Sequence, residues 1–303
     1  MPRERDHNIE AVIKESSSGL EIPGSPIQIA KAIAEGNQSS KKRQTVSVNP
    51  NNIFQILKGN RNIHSEHLVL DTNDTCNAEC LYCPNPRSSK LISMEQFFEL
   101  VNSILTNIGV FQFGCGQELT MDDRLEDFLS LLNQRKIHPN KIYMVTNAML
   151  LHKHNISRFE QLGLNKIQVS IDTVSEEINK ILRRKTDINR IMNNLLILAD
   201  HHPALQIKSS STITFLNIVG VSELISFGKE VNASFISREV WDFTDMGITP
   251  RDEQYFTWMK ALALKQGQFM KLEQSLRNHP MYPMMEFYPS SAQEHWKSKV
   301  EQY

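Results

Sequence analysis

Six short runs of strand-like sequence, each followed by a segment with helical periodicity, succeed one another from about residue 66 of this 303-residue chain. The runs are residues 67–72, 109–113, 141–146, 166–172, 205–214 and 233–241. Strands that alternate with helices along a chain form parallel sheets, because each crossover helix packs back onto the sheet. The sequence therefore predicts an α/β fold with the helices outside the sheet.

Two helices carry start signals of their own. Ser93 and Gln96 fit a capping box ahead of an apolar stripe that begins at Phe97. Asp187 precedes a second apolar stripe in the same way. Both signals predict helices that bury one face against the sheet.

The chain divides into three parts on this pattern. Residues 1–64 alternate short apolar patches with polar tracts and form an N-terminal extension, either an arm packed on the main domain or an element that holds a substrate or partner. Residues 65–248 form the central α/β domain. Residues 249–303 form a helical C-terminal cap, with an amphipathic helix over 250–277 and an apolar, aromatic tail.

The fourth strand has one polar face. Ile167 and Ile171 share one side of it, while Gln168, Ser170 and Asp172 share the other. A parallel strand covered on both sides would be apolar on both. The polar side therefore predicts the lining of a site near the carboxyl ends of the strands, and an edge strand is the alternative.

Composition argues against several functional classes. The 33 Lys plus Arg and 34 Asp plus Glu give a net charge of -1, which does not favour a nucleic-acid partner. No run reaches the roughly 18 apolar residues of a membrane span, and the first residues lack a signal-peptide core. We therefore expect a cytoplasmic protein with no membrane partner.

Three of the four cysteines follow the first predicted strand, at Cys76, Cys80 and Cys83. Three thiolates do not complete a tetrahedral zinc site, and the loop has no histidine. On a cubane iron–sulfur cluster they would hold three irons and leave the fourth open for a small chelating molecule. This pattern favours a reactive cluster, and the alternative is a structural zinc completed by Cys115 or a distant histidine.

This C-x3-C-x2-C spacing resembles that of the radical S-adenosylmethionine (radical SAM) superfamily, which carries it after the first strand of a partial (β/α)6 TIM-type barrel. Tyr82 stands just before the third cysteine, where the family usually has an aromatic residue beside the adenine. The resemblance covers about residues 66–245. It implies that Cys76, Cys80 and Cys83 bind a [4Fe-4S] cluster whose open iron chelates S-adenosyl-L-methionine (SAM).

The resemblance also implies SAM contacts after the second and third strands. Gly116 and Glu118 match the family's Gly-Gly-Glu segment, which meets the methionine amino group, but Gln117 replaces the second glycine. The third strand ends in Thr-Asn-Ala, close to the family's Thr-Asn-Gly. Asn147 is therefore a cofactor candidate, with turn formation as the alternative.

Further contacts are implied beyond the fourth and fifth strands. Ser170 and Asp172 look like the family's ribose-contacting element. Arg183 or Arg184, in the predicted following helix, resembles the arginine that pairs with the methionine carboxylate, and we take Arg184 as the candidate. Asn217 stands where a family asparagine approaches the cofactor, again with turn formation as the alternative.

The resemblance implies a radical SAM enzyme that reductively cleaves SAM to a 5'-deoxyadenosyl radical, which abstracts a hydrogen from a substrate. An electron donor such as flavodoxin or ferredoxin would reduce the cluster. Subfamilies with auxiliary clusters carry extra cysteines after the barrel, whereas this sequence has none after Cys115. We therefore expect a single cluster and a peptide or small amino-acid-like substrate.

Two other functions stay open. A glycyl-radical-enzyme activase would use the same cofactor on a large partner protein. A zinc-stabilised binding module would have no catalysis. If the chain is an enzyme, the candidate catalytic residues are Glu239 and Asp242, which present charge near the expected barrel mouth, and Cys115 as a hydrogen donor or radical relay.

Overall fold

The computed structural model describes residues 65–83, 85, 89–104, 108–114, 116–134, 142–240 and 261–288. The predicted extension over 1–64 lies outside this part of the chain, as do the candidates Cys115 and Asp242. None of the helices in the described ranges is long and apolar enough to cross a membrane.

Seven parallel strands form one sheet in the described residues, and each pairs with the strand that precedes it along the chain. They are β1 Ser65–Leu70, β2 Ile108–Phe113, β3 Ile142–Thr146, β4 Lys166–Ser170, β5 Gln206–Ile213, β6 Ser234–Glu239 and β7 Met285–Tyr288. The first six confirm the predicted strands, with ends that differ by at most two residues. Because crossovers between parallel strands are right-handed, this sequential order places the helices on one face of the sheet.

Six α-helices lie wholly within the described residues. They are α1 Met94–Ile104, α2 Leu125–Gln134, α3 Glu176–Leu182, α4 Ile188–His201, α5 Val221–Glu230 and α6 Gln268–Leu276. Two of these six, α1 and α4, begin at the predicted signals. The capping box before α1 is confirmed, since Gln96 N donates to Ser93 Oγ at 3.0 Å and Ser93 N donates to Gln96 Oε1 at 2.9 Å. Asp187 caps α4 through a 3.1 Å bond from Arg190 N.

The C-terminal part departs from its prediction in two places. The tail contributes β7 to the edge of the sheet, beside β6. The helix expected over 250–277 is not continuous, because residues 263–267 are non-helical and α6 begins only at Gln268. Gly267 has a φ of +79°, a left-handed conformation that interrupts a right-handed helix and that glycine adopts without steric cost.

The core lies between the sheet and the helices. Strand residues such as Phe111, Ile167 and Ile207 belong to one buried cluster with Leu129 of α2 and Ile191 of α4. The rings of four phenylalanines contact one another in this cluster, and the ring centres of Phe97 and Phe128 are 4.5 Å apart. One side of each strand therefore supplies the packing, and the other side is left for different uses.

We expect Phe97→Ala to lower the free energy of unfolding by about 3–5 kcal/mol, because a fully buried ring would leave a cavity. Phe98→Ala is the matched control, since this neighbouring ring is 41% exposed and its loss should cost less than about 1 kcal/mol. Urea denaturation measures both. Equal losses in the two variants would contradict the packing described here.

Candidate active site at the carboxyl ends of the strands

The predicted ligand cysteines lie on the loop that follows β1. Cys76, Cys80 and Cys83 form no disulfide; Cys80 is buried and the other two are partly exposed. A turn brings the second and third together, with Cys83 N donating to Cys80 O at 3.2 Å. All three thiols are thus available as ligands on one short loop.

The donor set fits a thiolate-bound cluster. Burial raises the pKa of the Cys80 thiol to about 12; the nearby Arg183 opposes this rise, whereas Cys83 and Cys76 add to it. The three sulfurs are therefore close enough to interact electrostatically. Among the described residues no group of three or more His, Cys, Asp or Glu is already arranged around a metal position. Binding would draw the thiols together and release their protons, as is usual for thiolate sites.

A two-residue ladder fixes the cysteine loop from one side. Glu79 and Cys80 pair antiparallel with Arg184 and Arg183. Next to this ladder, Leu81 N donates to Leu182 O at 3.0 Å. The expectation that both arginines lie in a helix is therefore wrong, because α3 ends at Leu182 and backbone pairing to the cysteine loop replaces the next helical turn.

Asp172 joins three segments at the end of β4. Its Oδ2 accepts a 2.7 Å bond from Arg183 Nε and a hydrogen bond from the Tyr82 hydroxyl, and its Oδ1 accepts a 2.8 Å bond from Thr212 N. Burial would lower the pKa of Arg183, but the charge of Asp172 opposes this effect. Smaller contributions from Tyr82, Cys80 and the Asp172 hydrogen bond add to that charge, and together they outweigh burial and hold the pKa well above its usual value. Burial raises the pKa of Tyr82, so the phenol stays protonated and donates. Asp172 is 1% exposed, and its carboxylate is occupied by bonds from its own chain.

Glu118 has a similar position between β2 and β3. Its carboxylate accepts bonds from Thr146 Oγ1 at 2.5 Å and Asn147 N at 2.6 Å, and two more from Thr120. It is 2% exposed. The carboxylate thus holds the ends of two strands together, and the expected contact with the methionine amino group stays a prediction.

The two candidate asparagines differ in their surroundings. Asn147 Nδ2 lies 2.8 Å from Asn77 Oδ1 and 4.0 Å from Cys76 Sγ, so it faces the cysteine loop. Asn217 is fully buried, and its amide bonds Thr214 N and the carbonyl groups of Asp172 and Thr212 at 2.7–3.0 Å. Asn217 therefore organises the turn after β5, and its approach to the cofactor stays a prediction.

Gly116 and Ser170 lie on more open parts of the site, and both are partly exposed. A Cβ at position 116 would lie 3.0 Å from Asn85 Nδ2 and 3.3 Å from Asp71 Oδ2, so glycine lets this segment approach the cysteine loop closely. Asn85 also donates to Gly116 O at 2.9 Å. The segment after β2 and the cysteine loop therefore form one wall.

Strand register confirms the polar face. Gln168 pairs with Lys208, and Ser170 pairs with Ser210, so the polar sides of β4 and β5 coincide. We call this side, opposite the helices, the inner face. Glu239 pairs with Ile213, whose side chain packs in the core, whereas Arg238 pairs with Thr212 on the inner face. A catalytic role for Glu239 stays a prediction.

Sequence reasoning missed several polar residues of the inner face. Lys166, Tyr143 and Gln112 occupy paired positions on three neighbouring strands, and Glu286 joins them from β7. Strand alternation was the signal for the first three residues. No such signal marked Glu286, because residues 285–288 were not predicted as a strand.

Comparisons with known proteins agree with this geometry. The family model described as the radical SAM superfamily matches residues 71–226, which is 156 of the 303 residues. The GTP 3',8-cyclase of Clostridium botulinum (strain Hall) is 29% identical over 137 residues, which cover 43% of this chain and 42% of the cyclase. The chain thus matches less than half the length of that relative. A protein of Methanocaldococcus jannaschii named MJ0907 is 24% identical over 225 residues, 72% of this chain and 73% of that protein.

Among solved structures, Streptococcus suis SuiB bound to the precursor peptide SuiA matches with a TM-score of 0.60 at 17% identity. The match covers 87% of this chain and 62% of SuiB, and at this identity it shows the fold alone. The family match covers more than half of the chain and includes the cysteine loop. The chain therefore belongs to the radical SAM superfamily, whose members use SAM and a [4Fe-4S] cluster.

Proposed function

We propose that Cys76, Cys80 and Cys83 hold the [4Fe-4S] cluster and that the chain uses SAM to abstract a hydrogen from a peptide or small amino-acid-like substrate. The observation that carries this proposal is the placement of three free thiols on one loop beside the polar strand ends. When bound, the reduced cluster supplies the electron that cleaves SAM to methionine and a 5'-deoxyadenosyl radical. Membership of the family favours this enzyme over a zinc-stabilised binding module.

The proposed SAM contacts fall into two groups. Gly116, Asn147, Ser170 and Arg184 lie near the cysteine loop or on the inner face and would touch the cofactor. Arg184 is partly exposed, and its Nε donates to Glu79 O of the cysteine loop at 3.2 Å. We propose that its guanidinium, placed beside this loop, pairs with the methionine carboxylate. These residues would orient SAM through hydrogen bonds and one ion pair.

The residues of the second group are buried behind the proposed SAM contacts and would not touch SAM themselves. Glu118, Asp172 and Asn217 are buried and bonded to their own chain, so we propose that they position the segments that touch SAM. Tyr82, anchored by Asp172, would present its ring to the adenine. Such fixed supports reduce the reorganisation needed when cofactor and substrate bind.

Two comparisons bear on the substrate class. SuiB, whose fold this chain shares, was solved with a precursor peptide, which favours a peptide. The relatives named GTP 3',8-cyclase, together with lysines on the inner face, favour a nucleotide as the second candidate. We propose flavodoxin or ferredoxin as the electron donor. The glycyl-radical-activase alternative stays a prediction.

Anaerobic reconstitution with iron and sulfide tests the proposal directly. We expect about four irons per chain and slow formation of 5'-deoxyadenosine from SAM and dithionite without any substrate. Cys80→Ala should lose the cluster absorbance and this activity, because one thiolate ligand is missing. Cys115→Ala is the matched control and should keep the cluster absorbance.

Two results would contradict this assignment. One is a reconstituted chain that binds zinc tightly and iron not at all. The other is a Cys80→Ala protein with the same iron content as the unmodified chain.

The buried ion pair behind the cysteine loop generates a separate prediction. Asp172→Asn would leave the Arg183 guanidinium without its counter-charge and should lower the free energy of unfolding by about 3–5 kcal/mol. Glu176→Gln breaks an exposed ion pair with Lys180 and should cost less than about 1 kcal/mol. Urea denaturation of the cluster-free proteins compares them, and a loss below 1 kcal/mol in Asp172→Asn would contradict the role given to this pair.

A further inference from the structure

The inner face carries more positive than negative charge. Lys166 of β4, Lys208 of β5 and Arg238 of β6 all lie on it, as strand register and alternation require. Glu286 of β7 is the carboxylate that meets these strands from the edge of the sheet. The four charged side chains therefore share one surface of the sheet, opposite the helices.

Glu286 already has hydrogen-bond partners on the inner face. Its Oε1 lies 2.5 Å from Lys208 Nζ, and its Oε2 accepts a 2.7 Å bond from the Tyr288 hydroxyl. Burial opposes ionisation of Glu286. The hydrogen bonds from Lys208 and Tyr288, together with the positive charges of Lys208 and Lys166, outweigh burial and lower the pKa of this carboxyl. Glu286 thus forms an ion pair with Lys208, and its single negative charge also attracts Lys166.

Lys166 has a different environment. Its Nζ lies 5.0 Å from the centre of the Tyr143 ring, and among the described residues no carboxylate is within ion-pair distance of it. Burial lowers the pKa of Lys166, the positive charge of Lys208 lowers it further, and the negative charge of Glu286 partly opposes both. Strand register pairs Lys166 with Gln206, two residues before Lys208, so the two lysines lie on the same face of adjacent strands. Glu286 offsets only part of their mutual repulsion in this partly buried place, and an anion between them would relieve the rest.

Arg238 extends this positive region toward the carboxyl ends of the strands. Its guanidinium lies 5.8 Å from the centre of the Tyr288 ring, and the described residues supply no carboxylate partner for it. Ser210 of β5 lies between Lys208 and Thr212, the partner of Arg238, and it pairs with Ser170 of β4, a proposed SAM contact. The positive region is thus continuous with the proposed active site.

We propose that Lys166 and Lys208 form a subsite for an anionic group of the substrate, a phosphate or a carboxylate. This inference rests on the proposed function, because it places the substrate on the inner face below SAM. Two ammonium groups on adjacent strands provide charge-assisted hydrogen bonds to a single anion. Tyr143, beside Lys166, and the Lys208–Glu286 pair hold the two lysines in place.

Isothermal titration of the anaerobically reconstituted chain tests the subsite with two probes, tripolyphosphate and tricarballylate. We expect one molecule of at least one probe to bind per chain, and Lys166→Met to weaken that binding by about tenfold or more, as loss of a charge-assisted bond implies. Binding of tripolyphosphate alone assigns a phosphate, and binding of tricarballylate alone assigns a carboxylate. Lys166→Arg keeps the charge and should stay within about threefold of the unmodified chain.

Lys229→Met, which removes an exposed lysine from α5, is the matched control and should leave the affinity unchanged. The subsite is overturned if neither probe binds, or if Lys166→Met, with an unfolding curve like that of Lys166→Arg, binds as tightly as the unmodified chain. Iron content and 5'-deoxyadenosine formation are measured on the same unmodified preparation. Failure of the cluster assignment is therefore distinguished from failure of the anion subsite.

Discussion

The buried ion pair between Asp172 and Arg183 is the contact on which the arrangement of the site depends. It joins the end of β4 to the short ladder that holds Cys80, while Thr212 N and Tyr82 bond the same carboxylate. A buried pair adds little net stability over apolar packing, but it has one favourable geometry. Its contribution is therefore to fix where the cysteine loop lies relative to the sheet.

The two sides of the sheet differ in composition and role. The helix side buries a continuous apolar cluster and provides the stability. The inner face holds serines, lysines and an amide, whose burial would be costly without ligands or partners. Buried acids such as Glu118 and Asp172 are tolerated because neighbouring strand ends, and for Asp172 also Arg183 of the short ladder, donate hydrogen bonds to them. The polar residues can thus be held rigidly without weakening the core.

Local sequence predicted most of the fold because its signals act over a few residues. Strand alternation, the Ser93 capping box and the cysteine spacing are all signals of this kind, and the strands and the capping box are confirmed. The sequence-based prediction of secondary structure failed where contacts between distant parts of the chain determine the conformation. Met285–Tyr288 pairs with β6 although its sequence carries no strand signal, and Arg183 leaves the helix to pair with Cys80.

The sequence by itself determined the family, the parallel α/β architecture and the polar side of β4, and it indicated the three cysteines that we propose as cluster ligands. Each of these follows from spacing or alternation within one segment. Only the tertiary structure decided which arginine is buried against Asp172, which side of β6 Glu239 occupies and that Lys166 and Lys208 lie together. The physical reason is that a partner's charge and a strand's register depend on chain segments that meet only when the whole sheet has formed.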